Sequence, residues 1–324
     1  MVGIINKVCE ISFLVNSEKN KSQPIAFVET PQSIAELMVS LVDLKGKKKT
    51  EISVLDAGCG RGVFLRNLAN SGYENVTGIE YNAVLAKECQ EEFSHYNIIH
   101  KNYLNWNPET CYDLIIGNPP YSHYNSLPSK IQKEVREIVQ SKESDIYYAF
   151  IIKAIDFLKD NGELIFIVPY GFFYNTYAKS VRDKIISHGL LDIIIDLDEV
   201  RLFDGENPET VIIKFTKKTD VENKTMNVLR IRNKNTSPSL ILQSAQDSIL
   251  NKKSNDVFTY FNKPMFENSE DIWTTYPEII LEEYVKLKDI AWVGVGPVSG
   301  YDEAFRLSVN EEGNFSDIES DLVI

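Results

Sequence analysis

The sequence predicts an α/β protein built on a doubly wound sheet of seven strands with helices on both faces. From residue 52 to about 217, short β-branched runs alternate with longer stretches of helical periodicity, the pattern of strands and crossover helices. The first strand runs straight into a glycine-rich turn, "VLDAGCGRG" at 54–62, which opens a helix. A length of 324 residues exceeds one hydrophobic core, so a second, smaller unit is expected.

The predicted strands are "ISVLDAG", "NVTGIEY", "NIIHKN", "YDLIIGN", "ELIFIVP", "LDIIIDL" and "TVIIKFT", and the helices between them fall at about 62–70, 83–93, 129–141, 146–159 and 175–187. Ahead of the sheet, Ile34, Leu37, Met38, Leu41 and Val42 recur at helical spacing and make one apolar face. Thr30 stands where an N-cap belongs and Pro31 at the first helical position. After about residue 220 the alternation fails, and "NKTMNVLRIRNKNTSPSLILQS" reads as a polar linker. Four segments are therefore expected: an N-terminal extension (1–24), the main α/β domain (25–220), a linker (221–286) and the start of a truncated further domain (287–324), whose ordered structure restarts at "WVGVGPVSGYDEAF".

Composition narrows the class of protein. Hydrophobic residues make up 43% and charged residues 25%, ordinary values for a globular chain. No apolar run approaches the roughly 20 residues of a membrane helix, and the N-terminus lacks the order of a secretory signal, so a cytoplasmic location is expected. The cysteines Cys9, Cys59, Cys89 and Cys111 form no CxxC pair, and the histidines His95, His100, His123 and His188 show no ligand spacing, so no metal site is predicted. A formal charge of −13 opposes tight binding to a polyanion; runs such as "KGKKK" read as solvated loops.

Two constellations carry chemistry. Gly58 and Gly60 let the backbone approach a ligand closely, and the acid just before them, Asp56, would repel a pyrophosphate but suits a cationic ligand such as the amino and sulfonium region of S-adenosylmethionine. Glu80, 24 residues further on at the end of the next strand, is placed to accept ribose hydroxyls. The second constellation is "IIGNPPY" at 115–121. Asn118 offers a side-chain oxygen, Pro119 and Pro120 stiffen the backbone and aim a carbonyl, and Tyr121 offers an aromatic face. An aromatic amine is a poor nucleophile until its protons are held by acceptors, and this corner supplies two.

With these motifs the chain resembles the S-adenosylmethionine-dependent N6-adenine DNA methyltransferases of restriction-modification systems whose target-recognition domain follows the catalytic one, over about 26–217 with a fainter match at 287–305. The resemblance implies a Rossmann-like sheet of the class I methyltransferase type and a partial C-terminal target-recognition region. It implies S-adenosylmethionine held by Thr30 at its carboxylate, Asp56, Gly58 and Gly60 at its methionine part, and Glu80 with Tyr81 at its ribose. Asn102 and Tyr103 would hold its adenine. Catalysis would fall to Asn118, Pro119, Pro120 and Tyr121, and Phe203 would support a target base flipped out of the duplex. Where the family usually has Asp, Asn102 stands, so weaker cofactor binding is expected, tightened by Asn102→Asp.

The expected partners are double-stranded DNA, held weakly by a chain expected to be truncated in its recognition domain, and a separate specificity or nuclease subunit. Methyltransferases of RNA adenine or protein glutamine share the Asn-Pro-Pro-Tyr signature and stand as alternatives, as does a non-catalytic cofactor-binding module.

Overall fold

A computed structural model describes residues 29–203, 208–218 and 224–277, together with two short strands at 308–309 and 315–316. The chain divides into two compact units, Met1–Pro277 and Glu278–Ile324. The expected extension at 1–24 lies outside the described residues. So does the expected start of a further domain at 287–324, apart from β10 (Ser308–Val309) and β11 (Phe315–Ser316), which pair antiparallel.

All seven predicted strands are present: β1 (Val54–Ala57), β2 (Val76–Glu80), β3 (Asn97–His100), β4 (Tyr112–Gly117), β5 (Leu158–Pro169), β6 (Gly189–Asp196) and β7 (Thr210–Lys217). The sheet itself has nine strands, in the order β3-β2-β1-β4-β5-β7-β6-β8-β9. The two additional strands, β8 (Thr225–Ile231) and β9 (Phe258–Pro264), and the helix between them lie in the stretch expected as linker. Met226, Val228, Leu229 and Ile231 are buried, so the polar residues of β8 obscure a strand that is largely core.

β3, β2, β1, β4 and β5 run parallel. β7 inserts antiparallel between β5 and β6. It follows β6 with no helix among the described residues between them, and without a crossover a neighbouring strand must run back. The strand order reverses at β1 and β4, so a crevice opens beyond their carboxyl ends.

Helices α1 (Gln32–Ser40), α2 (Val63–Asn70), α3 (Ala83–Glu92) and α7 (Pro238–Asn251) cover one face of the sheet, joining the cluster around Val54, Leu114, Ile165 and Ile212. Helices α4 (Ser129–Val139), α5 (Ile146–Phe157) and α6 (Lys179–His188) cover the other, around Leu55, Ile115, Phe166 and Phe215. Trp273 is fully buried, stacked on Phe266 at 4.5 Å, and its backbone N–H donates to the Phe173 carbonyl. The segment after β9 is thereby fastened over the end of β5. Among the described residues, no helix is long and apolar enough to cross a membrane.

The start of α1 differs from the sequence expectation. Pro31, not Thr30, occupies the N-cap position, and its carbonyl accepts from the N–H groups of Ile34 and Ala35. The Thr30 hydroxyl is engaged elsewhere.

Candidate active site

The carboxyl end of β1 delivers Asp56 and then the glycine turn. Gly58 and Gly60 have φ of 86° and 53°, the left-handed region that a side chain disfavours. The turn is tied to the next strand, because the N–H groups of Gly58 and Cys59 both donate to the Ile79 carbonyl at 3.0 Å. Glu80 completes the tie: one carboxylate oxygen accepts from Gly60 N at 2.8 Å and the other from Asn82 N at 2.7 Å. These two bonds fix the carboxylate while leaving lone pairs on both oxygens.

Asp56 is fully buried, and neither side-chain oxygen has a hydrogen-bond partner among the described residues. Burial, reinforced by Cys89 and Glu80 nearby, holds its carboxyl well above the usual carboxylate range. A buried acid without a donor is costly unless a cationic or hydrogen-bonding ligand completes it. The position fits the amino group of a methionine-type ligand.

Beyond β3, Asn102 caps the short turn Tyr103–Asn105, its side-chain oxygen accepting from Leu104 N at 3.0 Å. Its amide nitrogen donates to Glu134 on α4 at 2.7 Å. Tyr103 is buried and stacked on Phe150 of α5, with centroids 4.5 Å apart. The same loop is held from behind by Lys153, whose ammonium donates to the carbonyls of Leu104 and Trp106 at 2.8 Å each and to Asn107 at 3.3 Å.

The corner after β4 stands beside this loop. Asn118 donates its amide N–H to the Thr30 hydroxyl oxygen at 3.0 Å. Tyr121 donates its hydroxyl to the Ile167 carbonyl at 3.1 Å, and burial pushes that hydroxyl well above the ordinary phenol range. Its ring is met edge-on by Tyr147 at 6.3 Å and by Phe203 at 6.2 Å. Phe203 is buried, so it contacts the Asn-Pro-Pro-Tyr corner through the Tyr121 ring.

One cavity of about 350 Å³ joins these pieces. Gly58, Glu80, Tyr81, Asn102 and Tyr103 line it together with Asn118, Pro119, Pro120 and Tyr121, and Ile131, Ile146 and Phe150 add apolar wall. Such a volume is in the range of small-molecule sites. Tyr81 is 60% exposed at the mouth. A smaller recess meets Thr30, Gly58 and Asn118 next to Arg61. Asp56 lines neither recess; it is fully buried on β1, two residues before Gly58. The sequence did not single out Arg61, Glu134, Phe150 or Lys153. Arg61 was visible inside the glycine turn, whereas the other three reach the site from helices whose facing cannot be read from local motifs.

The orphaned Asp56 carboxylate, the left-handed glycines and the Glu80 carboxylate beside the cavity together fit S-adenosylmethionine.

Comparison with known proteins finds relatives and a family. The chain is 30% identical over 319 residues to the Type II methyltransferase M.HindII of Haemophilus influenzae, an alignment covering 90% of this chain and 56% of that protein. The chain thus spans a little over half the length of the curated relatives it matches. Among solved structures, the methyltransferase subunit of a type I restriction-modification system from Streptococcus thermophilus superposes with a TM-score of 0.57 at 18% identity, covering 73% of this chain and 56% of that one. A class I S-adenosylmethionine-dependent methyltransferase described as putative, from Listeria monocytogenes, does so with a TM-score of 0.54 at 20% identity, covering 76% and 78%. These superpositions show a shared fold. The family model of the Eco57I restriction-modification methylases matches residues 35–203, which takes in β1 to β6 and the whole Asn-Pro-Pro-Tyr corner, and the chain belongs to that family.

Proposed function

We propose that this chain transfers the methyl group of S-adenosylmethionine to the N6 amine of an adenine rotated out of DNA, as the modification activity of a restriction-modification system. The observation that carries the reading is that one cavity is lined both by Gly58 and Glu80 and by the Asn118 to Tyr121 corner. Bound S-adenosylmethionine supplies a methyl group made electrophilic by a sulfonium.

Asp56 is suited to the ligand's amino group and Glu80 to its ribose, while Asn102 and Tyr103 border its adenine. At the other end, the Asn118 side-chain oxygen and the Pro119 carbonyl would each accept one proton of the target amine. That grip localises the nitrogen lone pair, which is otherwise delocalised into the ring, so no base need remove a proton before transfer; as the N–CH3 bond forms the S–CH3 bond would break to leave a neutral thioether, and the cationic nitrogen would then lose one proton to water. Tyr121 offers a face for the adenine ring, and such stacking is worth roughly 1 to 3 kcal/mol. Its ring is steadied for that purpose by its hydroxyl bond and by Phe203. A stacked adenine inside a duplex cannot reach this corner, so the base must be flipped at a cost of a few kcal/mol.

A charge of −13 leaves little with which to neutralise phosphates, so duplex affinity should be feeble and only weakly salt-dependent. The test is transfer of a tritiated methyl group to duplex DNA, RNA and a glutamine-containing peptide at low salt. Label in DNA, recovered as N6-methyladenine, is expected; label in RNA or peptide alone would overturn the reading.

A further inference from the structure

We propose that Glu134 is a positioning residue that sets the orientation of the Asn102 amide at the adenine end of the cofactor site. This rests on the assignment of that site to S-adenosylmethionine. An amide can present either its oxygen or its nitrogen to a ligand, and the two faces have opposite hydrogen-bonding character. Here the choice is made by two partners. The Glu134 carboxylate, an acceptor only, takes the Asn102 amide N–H at 2.7 Å, and Leu104 N–H, a donor only, meets the Asn102 oxygen at 3.0 Å. Rotating the amide by half a turn would set oxygen against carboxylate and N–H against N–H. Glu134 also receives Asn105 at 3.3 Å, and Lys153 holds the carbonyls that follow, so the loop has little freedom to adapt.

The fixed orientation leaves the second lone pair of the Asn102 oxygen for an exocyclic amine, the feature that distinguishes adenine from a 6-oxopurine. A neutral amide thereby does the work of a carboxylate at this position, with the negative charge one residue removed on α4. The consequence reverses the expectation drawn from the sequence. Asn102→Asp should not tighten cofactor binding, because it would set two carboxylates at hydrogen-bonding distance in a half-buried site.

Calorimetric titration of S-adenosylmethionine tests this. Asn102→Asp is expected to weaken binding about tenfold or more at pH 8, the loss shrinking towards pH 5 as the carboxylate pair takes up a proton. The double variant Asn102→Asp/Glu134→Gln should return to within about threefold of the wild type, since the amide introduced on α4 can donate to the new carboxylate. Glu134→Ala should lose discrimination against the analogue carrying hypoxanthine in place of adenine, an effect that simple loosening of the fold would not produce. The same order should appear in thermal midpoints without cofactor: Asn102→Asp below the wild type, the double variant restored.

Binding by Asn102→Asp equal to or tighter than the wild type, or a double variant as weak as the single one, would overturn the role of Glu134. Failure of the wild-type chain to take up S-adenosylmethionine at all would overturn the assignment of the site, and the role of Glu134 with it.

Discussion

The Thr30 hydroxyl oxygen accepts a hydrogen bond of 3.0 Å from the Asn118 side-chain amide, joining residues 88 apart in sequence. Thr30 precedes α1 and Asn118 follows β4, so this bond fastens the helix that leads into the sheet to the corner beyond that strand. In this bond the Asn118 amide nitrogen is the end that faces Thr30. With the nitrogen donating to Thr30, the oxygen is the end suited to a target amine, which needs an acceptor.

Thr30→Val is therefore expected to lower the methyl-transfer rate at saturating cofactor about tenfold, the worth of one hydrogen bond that sets geometry. Thr30→Ser should recover most of the rate. Rapid-quench single turnovers check both, and a Thr30→Val variant that changes only the affinity for cofactor would restrict Thr30 to the carboxylate contact expected from the sequence.

Asp56 should make stability depend on pH in a direction opposite to that of a salt-bridged acid. Its folded pKa lies above the unfolded value of 3.8, so the folded chain holds the proton more tightly. Its contribution is fully present below the unfolded pKa and is lost as pH rises through the folded one. Asp56→Asn should then raise the thermal midpoint of the cofactor-free chain by a few degrees at pH 7.5, with the gain fading towards pH 4. The same variant should abolish S-adenosylmethionine binding. Scanning calorimetry across pH reads the first effect and titration the second.

Lys153 is buried at 8% exposure, and its three bonds close the carbonyl row behind the Asn102 loop. Lys153→Met keeps the aliphatic stem but strands those acceptors, at a cost of about 1 to 3 kcal/mol for each buried group left unpaired. Chemical denaturation should show a loss of about 2 to 4 kcal/mol, tempered by relief of the buried ammonium. Cofactor affinity should fall as well, because the wall of the cavity loosens.

The fold was legible wherever apolar periodicity was unbroken. The seven strands and the helices between them follow from runs such as "DLIIG" and "LIFIV", whose residues are buried on both faces. It was not legible in β8, α7 and β9. Ser237 and Pro238, which read as linker punctuation, are the N-cap and first residue of α7, whereas the Thr30–Pro31 pair stands one position earlier relative to its helix, with Pro31 as the N-cap of α1. Strand β9 is the edge strand of the sheet, only partly buried, and Asn262, Lys263 and Pro264 cut short its apolar run.

Of the residues named from sequence at a strand end or a tight turn, Gly58, Glu80 and the Asn118 to Tyr121 corner line the cavity, and Asp56 is buried just before the turn. Residues whose role depends on which way a distant helix faces could not, and Glu134 and Lys153 are of that kind. Asn102 was visible as a departure from the usual acid, but the carboxylate that faces it lies 32 positions away and on another element.

At the heart of the proposed chemistry, Asn118 grips an adenine amine opposite a bound methyl donor. The decisive experiment is single-turnover transfer from labelled S-adenosylmethionine to duplex DNA at low salt, followed by nucleoside analysis. The wild-type chain should yield N6-methyladenine, and Asn118→Ala should bind the cofactor normally while transferring at least about a hundredfold more slowly. Label on another nucleoside, or an Asn118→Ala rate equal to the wild type, would contradict that chemistry.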